Sequence, residues 1–370
     1  MIAMLRTKIA GIGMYVPANV VTNNDLTAVM DTSDEWIQER TGIRERRFAT
    51  RFEDTTTTMG VEAARMAIQR AGVTVGEIDF IIFATISPDY YFPGCGVLAQ
   101  RLLGIKEIGA LDVRNQCSGF IYALSVADQF IKTGMYKNIL LIASETHSYG
   151  LDFSTRGRNV SVIFGDGAGA LVLQPGAVRD EGSSTKTSLA DGSSGVLPRG
   201  ILSTHLHSDG GEAELLSMMN PGFHAGRFCA DKRPAKPDQP YGGLFLTKDL
   251  LEKEDIYPYM DGPAVFKKAI VKFPEVIMEA LDANNVKPSD LKLLIPHQAN
   301  LRITQMVQHK LKLRDDQVYN NIQKYGNTTA ASIPIALCEA WEQGKIQKND
   351  LVCLASFGSG FTWASALIRW

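Results

Sequence analysis

The sequence predicts an α/β fold with covered sheets, arranged as two similar halves. Three observations carry this reading. Strand-like and helix-like segments alternate along the 370 residues, as in sheets whose faces are covered by helices. Several apolar runs are continuous rather than alternating, among them residues 78–86 (IDFIIFATI), 138–144 (NILLIAS) and 351–356 (LVCLAS); strands buried on both faces look like this. The pattern also repeats: the strand, small-residue turn and helix around Cys117 have a counterpart around Asn327, and the strand pair near Gly167 has one near Gly358. The expected halves are residues 1–175 and 176–370.

Taken in order, residues 8–16 read as a first strand closed by Pro17. A helix starts at Asn24, and residues 31–34 (DTSD) offer N-caps for a second one. Trp36 and Arg40 share a face of that helix, either as an arginine lying over a half-buried ring or as a pair turned to a ligand. A local basic cluster, Arg44, Arg46 and Arg47, follows. Residues 58–71 form a helix ended by Gly72, 78–86 a strand, and 93–103 a helix after the aromatic group Tyr90, Tyr91 and Phe92. Residues 108–113 run as a strand into the Cys117 turn. Phe120, Leu124, Ala127 and Ile131 then recur at helical spacing, with Gly119 placed where a side chain would crowd the turn.

The run from Gly165 to Ala170 (GDGAGA) has the letters of a dinucleotide loop, but Leu171-Val-Leu173 after it reads as strand. A phosphate loop must open a helix, so a tight strand–strand turn is expected and nucleotide binding is not. Residues 176–200 suit a surface crossing between halves. His205 and His207 share one face of a strand with Asp209 nearby, but no second cluster completes a metal site; solvent-facing histidines and no metal are expected. An insertion near 211–259, rich in proline and glycine, suits a lid, cap or interface. Then follow a helix at 266–284, a strand at 291–295 ending in Pro296-His297, a helix at 301–311, and a small-residue turn at 325–332 leading into a helix at 333–344. Strands at 351–356 and 363–370 flank the glycine loop 357–361.

A net charge of −2 gives no global reason to expect nucleic acid or an anionic membrane as partner; an acidic partner would need a local basic patch. Five cysteines, scattered and without a CxxC pair, fit a reducing cytoplasm rather than a disulfide framework. No signal peptide or membrane span is expected.

Cys117, His297 and Asn327 each follow a strand and precede a helix, where α/β sheets build their sites. At a helix N-terminus the macrodipole favours a cysteine thiolate. Together the three residue types suit acyl transfer: a thiolate attacks a thioester while His and Asn donate hydrogen bonds to a carbonyl gaining negative charge.

The motifs around these residues are specific: residues 32–37 (TSDEWI), 40–46 (RTGIRER), 116–120 (QCSGF), 163–170 (IFGDGAGA), 203–210 (STHLHSDG), 296–302 (PHQANLR), 326–328 (GNT) and 357–363 (FGSGFTW). On them the chain resembles the β-ketoacyl-acyl-carrier-protein synthase III family, the initiating condensing enzymes of type II fatty-acid synthesis in the thiolase superfamily. The resemblance implies a thiolase-like αβαβα five-layered fold of two pseudo-repeated halves, a homodimer, and no cofactor beyond the coenzyme A thioester used as substrate. It implies that Cys117 takes an acyl group from acyl-CoA, and that His297 and Asn327 bind malonyl-acyl-carrier protein and stabilise the enolate left by CO2. By the same resemblance the backbone N–H groups of Cys117 and Ser359 form an oxyanion hole. Trp36 and Arg156 hold the adenine of coenzyme A, with Thr32, Arg40 and Asn300 nearby. Phe92 and Met260 belong to the acyl pocket, Phe92 reaching that of the neighbouring subunit. The segment Gln298, Ala299, Asn300, Leu301 and Arg302 meets the carrier protein.

Departures from the family pattern bear on the substrate. Ser359 replaces a common glycine, Pro263 replaces a polar residue expected near coenzyme A, and the long segment 211–259 and residues 114–116 leave primer length open. A polyketide-type or head-to-head acyl condensing enzyme using longer primers is the alternative. A thiolase would need a second cysteine where Phe357 stands.

Overall fold

A computed structural model describes residues 6–50, 53–176, 187–188, 194–195, 199–221, 248–252 and 256–370. The first sheet holds β1 (Arg6–Tyr15), β2 (Phe80–Ala84), β3 (Gly109–Val113), β4 (Ile139–Glu145) and β5 (Gly167–Gly176), in the order β1-β5-β4-β2-β3. Strand β2 runs parallel to both neighbours and all five of its residues are buried, as its unbroken apolar run demands. Strand β5 runs antiparallel to β4 and β1. The second sheet holds β6 (Gly200–Ser208), β7 (Leu293–Pro296), β8 (Leu351–Gly358) and β9 (Thr362–Arg369), in the order β6-β9-β8-β7. It repeats the directions of the first sheet, and a single parallel bridge from Leu294 to Val318 stands where the fifth strand would be.

Helix α1 (Asp34–Thr41) packs through Ile37 into a separate small cluster, and the helices that follow cover both sheets and fill the space between them. Between the sheets lie α4 (Gly119–Lys132) and α7 (Ser332–Glu342). Phe120 and Leu124 of α4 and Ile333 and Leu337 of α7 share one core with Ile82, Leu141 and Leu171 of the first sheet and Leu293, Val352 and Ala366 of the second. On the outer face of the first sheet, α2 (Thr56–Ala71) and α3 (Cys95–Leu103) pack against Ile81, Phe83, Leu140 and Ile142. On the outer face of the second, α5 (Gly262–Asp282) and α6 (Leu301–Leu311) pack against Leu294, Cys353 and Leu367. The result is five layers, αβαβα, from two like halves. Each fully buried Leu, Ile or Phe contributes about 1.5–3 kcal/mol. Close approach matters at Gly11, where a Cβ would lie 2.1 Å from the Ala67 carbonyl oxygen, so α2 rests directly on β1.

Two local expectations change. The expected strand–strand turn at 165–170 is not one: a short helix, Arg158–Ser161, precedes it, and the glycine run opens straight into β5. Within that run Asp166 is buried and accepts the backbone N–H groups of Ala49, His147 and Ser148. His205 and His207 do share a face of β6, but instead of facing solvent alone both reach Glu279 of α5, at 3.2 and 2.6 Å. Among the described residues no cluster has the makings of a metal site, and no helix is long and apolar enough to cross a membrane. Most of the insertion near 211–259 lies outside the described residues. Its two ends pair, Leu216 with Met260 and Ser217 with Tyr259.

Candidate active site

Strand β3 passes through Gln116, at φ +44°, into one 3-10 turn (Gln116–Ser118) and then α4. In the second half Thr329, at φ +48°, opens the turn Thr329–Ala331 ahead of α7. The repeat therefore sets Ala330 opposite Cys117, and Asn327 lies three residues upstream of Ala330. Gly119 has helical backbone angles, and a Cβ on it would only touch Ala330 at 3.5 Å, so the expected crowding there is absent. The crowded glycine is Gly358 at the end of β8. A Cβ there would lie 2.5 Å from Cys117 Cβ and 3.1 Å from its Sγ.

Cys117 is buried, and the backbone N–H groups of Cys117 and Ser359 act to favour the charged form of its sulfur. Ser359 tolerates its side chain because its φ is not left-handed, whereas Gly360 beside it is at φ +136°; its hydroxyl donates to the Leu216 carbonyl at the base of the insertion. Burial pushes the Cys117 thiol up to about 12, with the nearby Glu145 charge adding to the effect. The thiolate expected from the helix N-terminus is thus not the resting form, because loss of solvation outweighs the dipole and the two N–H groups. Glu145 is buried at the end of β4, where it accepts from Thr85, Ile86 and Ser87; burial raises its carboxyl to about 7.

His297 follows β7 and is buried. Its Nδ1 lies 2.7 Å from Ser332 Oγ, which itself accepts from the Gln298 N–H at 3.4 Å. The Ser332 hydroxyl hydrogen is free to point at Nδ1, and that tautomer carries the ring proton on Nε2. That Nε2 is buried with no hydrogen-bond partner. Burial, followed by the neighbouring His147, lowers His297 to about 3, so the ring is neutral. Asn327 is laced into the first half: its N–H donates to Ile163 O and its carbonyl accepts from the Gly165 N–H. Its Oδ1 accepts from the Thr329 N–H at 2.8 Å, leaving Nδ2 as the donor edge.

Nearer the surface, Arg40 lies over the Trp36 ring at 4.4 Å and Arg158 at 5.4 Å. Arg156 lies over Tyr257 and is ion-paired with Asp152; Arg158, two residues further on in the short helix Arg158–Ser161, is the one that faces Trp36. Thr32 Oγ1 is buried without a partner. Asn300 caps α6 through Arg302 N–H and donates to the Arg40 carbonyl. Of the segment expected to meet a carrier protein, Gln298 is 2% exposed, and its amide serves Pro296, Tyr319, Asn321 and Ile322. Ala299 and Leu301 are half-buried and Arg302 is exposed. Phe92 is 81% exposed, so within one chain it fills no pocket. Met260 is half-buried, and Pro263 sits in the first turn of α5 behind its cap Asp261.

Sequence reasoning did not single out Glu145, His147 or Arg158, and it named Gly358 without placing it against Cys117. The first two stand where it found the others, at the carboxyl end of a buried strand.

A five-layered αβαβα fold with cysteine, histidine and asparagine at the junctions of its two halves belongs to the thiolase-fold condensing enzymes. Residues 111–210 match the family described as 3-oxoacyl-[acyl-carrier-protein (ACP)] synthase III, and residues 281–370 match its C-terminal part. The chain is 43% identical to the β-ketoacyl-[acyl-carrier-protein] synthase III of Rhodospirillum centenum over 366 residues, 99% of each chain. It belongs to the 3-oxoacyl-[acyl-carrier-protein] synthase III family, condensing acyltransferases of type II fatty-acid synthesis. Among solved structures, the 3-oxoacyl-[acyl-carrier-protein] synthase III of Aquifex aeolicus matches with a TM-score of 0.80 at 40% identity, covering 98% of this chain and 100% of that one. The priming β-ketosynthase of the R1128 polyketide pathway matches with a TM-score of 0.81 at 28% identity, over 100% of this chain and 98% of that one.

Proposed function

We propose that this chain joins an acyl group from acyl-CoA to malonyl-acyl-carrier protein, with Cys117 as nucleophile and His297 and Asn327 as carbonyl donors. The observation that carries this reading is the approach of the Gly358 backbone to Cys117, where a Cβ would lie 3.1 Å from Sγ, which brings the neighbouring Ser359 N–H to the sulfur beside the Cys117 N–H. Two donors beside the reacting sulfur can hold the oxygen of a tetrahedral acyl intermediate, where such donors act most strongly.

In the first half-reaction Cys117 sulfur bonds to the thioester carbon, the bond from that carbon to the coenzyme A sulfur breaks, and the thiol proton leaves with coenzyme A. In the second, the malonyl carboxylate leaves as CO2 and its bonding pair becomes an enolate. His297 Nε2–H and Asn327 Nδ2–H donate to the enolate oxygen; neutral donors suffice because the pair acts by orientation in a buried site. The enolate carbon attacks the acyl-cysteine, the carbon–sulfur bond breaks, and Cys117 sulfur recovers a proton. The products are a β-ketoacyl-carrier protein, CO2 and coenzyme A.

Trp36 and Arg156 would hold the adenine, with Arg40 and Arg158 beside the Trp36 ring, Thr32 offering its unpartnered hydroxyl and Asn300 holding the mouth together. Arg302 supplies positive charge for the acidic carrier protein. A homodimer, with Phe92 of one subunit in the acyl pocket of the other, a cytoplasmic setting, no metal and a boundary between halves at 175/176 complete the reading. A second reading, priming with a longer or polyketide-type acyl group, is favoured by one observation: the ends of the insertion, Leu216 and Met260, pair beside Ser359. Turnover with malonyl-carrier protein and acyl-CoA primers from two to about sixteen carbons separates them. Condensation confined to short primers supports the first reading and a long-chain optimum the second; no condensation with any primer contradicts both.

A further inference from the structure

The end of β4 adds a residue to the site that the proposed chemistry does not use. His147 is buried, its N–H is held by Asp166 at 2.7 Å, and its ring packs against Phe164 with centroids 4.8 Å apart. Phe164 is the residue that bridges to Asn327. On its other side, His147 Nε2 lies 2.6 Å from Thr329 Oγ1. Thr329 in turn gives its N–H to Asn327 Oδ1 at 2.8 Å, and does so from φ +48°. β-Branched residues rarely adopt that conformation, and it persists only where surrounding contacts enforce it. The hydrogen bond between His147 and the Thr329 hydroxyl is such a contact, and the Asn327 carboxamide depends on the backbone it holds.

We propose that His147 is a positioning residue for the decarboxylation step, fixing Asn327 through Thr329 so that Nδ2 faces the malonyl thioester. This rests on the role given to Asn327 above. Burial keeps the His147 ring neutral, lowering it to about 3, so it acts as a hydrogen-bonding group rather than a charge.

The test separates the two half-reactions in the full chain. His147→Phe keeps the ring and removes the hydrogen bond, His147→Gln keeps a polar end, and Thr329→Val removes the hydroxyl that bonds to the ring. CO2 release from malonyl-carrier protein should fall roughly tenfold in kcat for His147→Phe and for Thr329→Val, the size expected of one lost buried hydrogen bond. Acylation of Cys117 by acyl-CoA should stay within about twofold, and the double variant should be no worse than either single one. His147→Gln should recover most of the rate. The proposal is overturned if His147→Phe has no effect, if both half-reactions fall in step with the melting temperature, or if the two losses multiply. Should His147→Phe fail to fold, Thr329→Val and His147→Gln still decide it, since Thr329→Val must slow CO2 release while sparing acylation. An Asn327→Ala variant that releases CO2 normally would instead remove the reading on which the proposal rests.

Discussion

Cys117 rests as a thiol in a buried turn, so its reactivity should depend on what removes the proton. With the thiol pushed up to about 12 by burial and by Glu145, alkylation by iodoacetamide should be slow at pH 7 and rise steadily with pH. Glu145→Gln removes a negative charge and should speed alkylation several-fold at pH 8; an unchanged rate would show that the carboxylate does not act on the sulfur. Stability gives an independent check on the same group. Glu145 has a folded-state value of about 7 against an ordinary 4.5. Its stabilising contribution is therefore full below pH 4.5 and lost as pH rises through 7. Denaturant titrations should show the native chain losing up to a few kcal/mol across that window relative to Glu145→Gln. The buried histidines work in the opposite sense: His147 and His297, both lowered to about 3, should cost stability as pH falls from 6.5 toward 3.

At the scale of elements, the site is made where the ends of β3, β4, β7 and β8 meet the turns leading into α4 and α7. The periodicity of α4 and the unbroken apolar runs of β2, β4 and β8 were legible from residue order alone, because burial on one helix face or on both faces of a strand leaves a local pattern. The strand-end rule describes Cys117 and His297, whereas Asn327 follows the short helix Ile322–Tyr325 and makes only a single bridge, to Phe164. What stayed hidden is set by distant chain. Gly119 and Gly358 look alike in sequence, yet only Gly358 faces Cys117 from across the molecule. Arg156 and Arg158 differ by two positions, and the turn between them decides which one stacks on Trp36. Gln298 lies in an apparently surface-seeking motif but is consumed by four backbone partners. Gly358→Ala should therefore abolish acylation of Cys117 and destabilise the chain by about 1–3 kcal/mol through overpacking, measured by thioester transfer and thermal melting. Full acylation in that variant would mean the Cys117 turn can move aside.

For the whole molecule, the two halves contribute unequal parts to one centre: the first supplies Cys117 and the second His297, Asn327 and Ser359. The shared core between α4 and α7 fixes these parts relative to each other, so their register is a property of the complete chain. An aromatic surface at Tyr90, Tyr91 and Phe92 remains exposed, and a second copy of the chain is its proposed cover. Phe92→Asp should shift the chain from dimer to monomer in light scattering and lower turnover with it; a dimer that persists with full activity would place the interface elsewhere. The most direct test of the central claim is intact-protein mass spectrometry after incubation with acyl-CoA, followed by addition of malonyl-carrier protein. The expected result is one acyl adduct on Cys117, absent in Cys117→Ser, that disappears as CO2 and β-ketoacyl-carrier protein form. An adduct on another residue, or an acyl-cysteine that malonyl-carrier protein does not discharge, would contradict it.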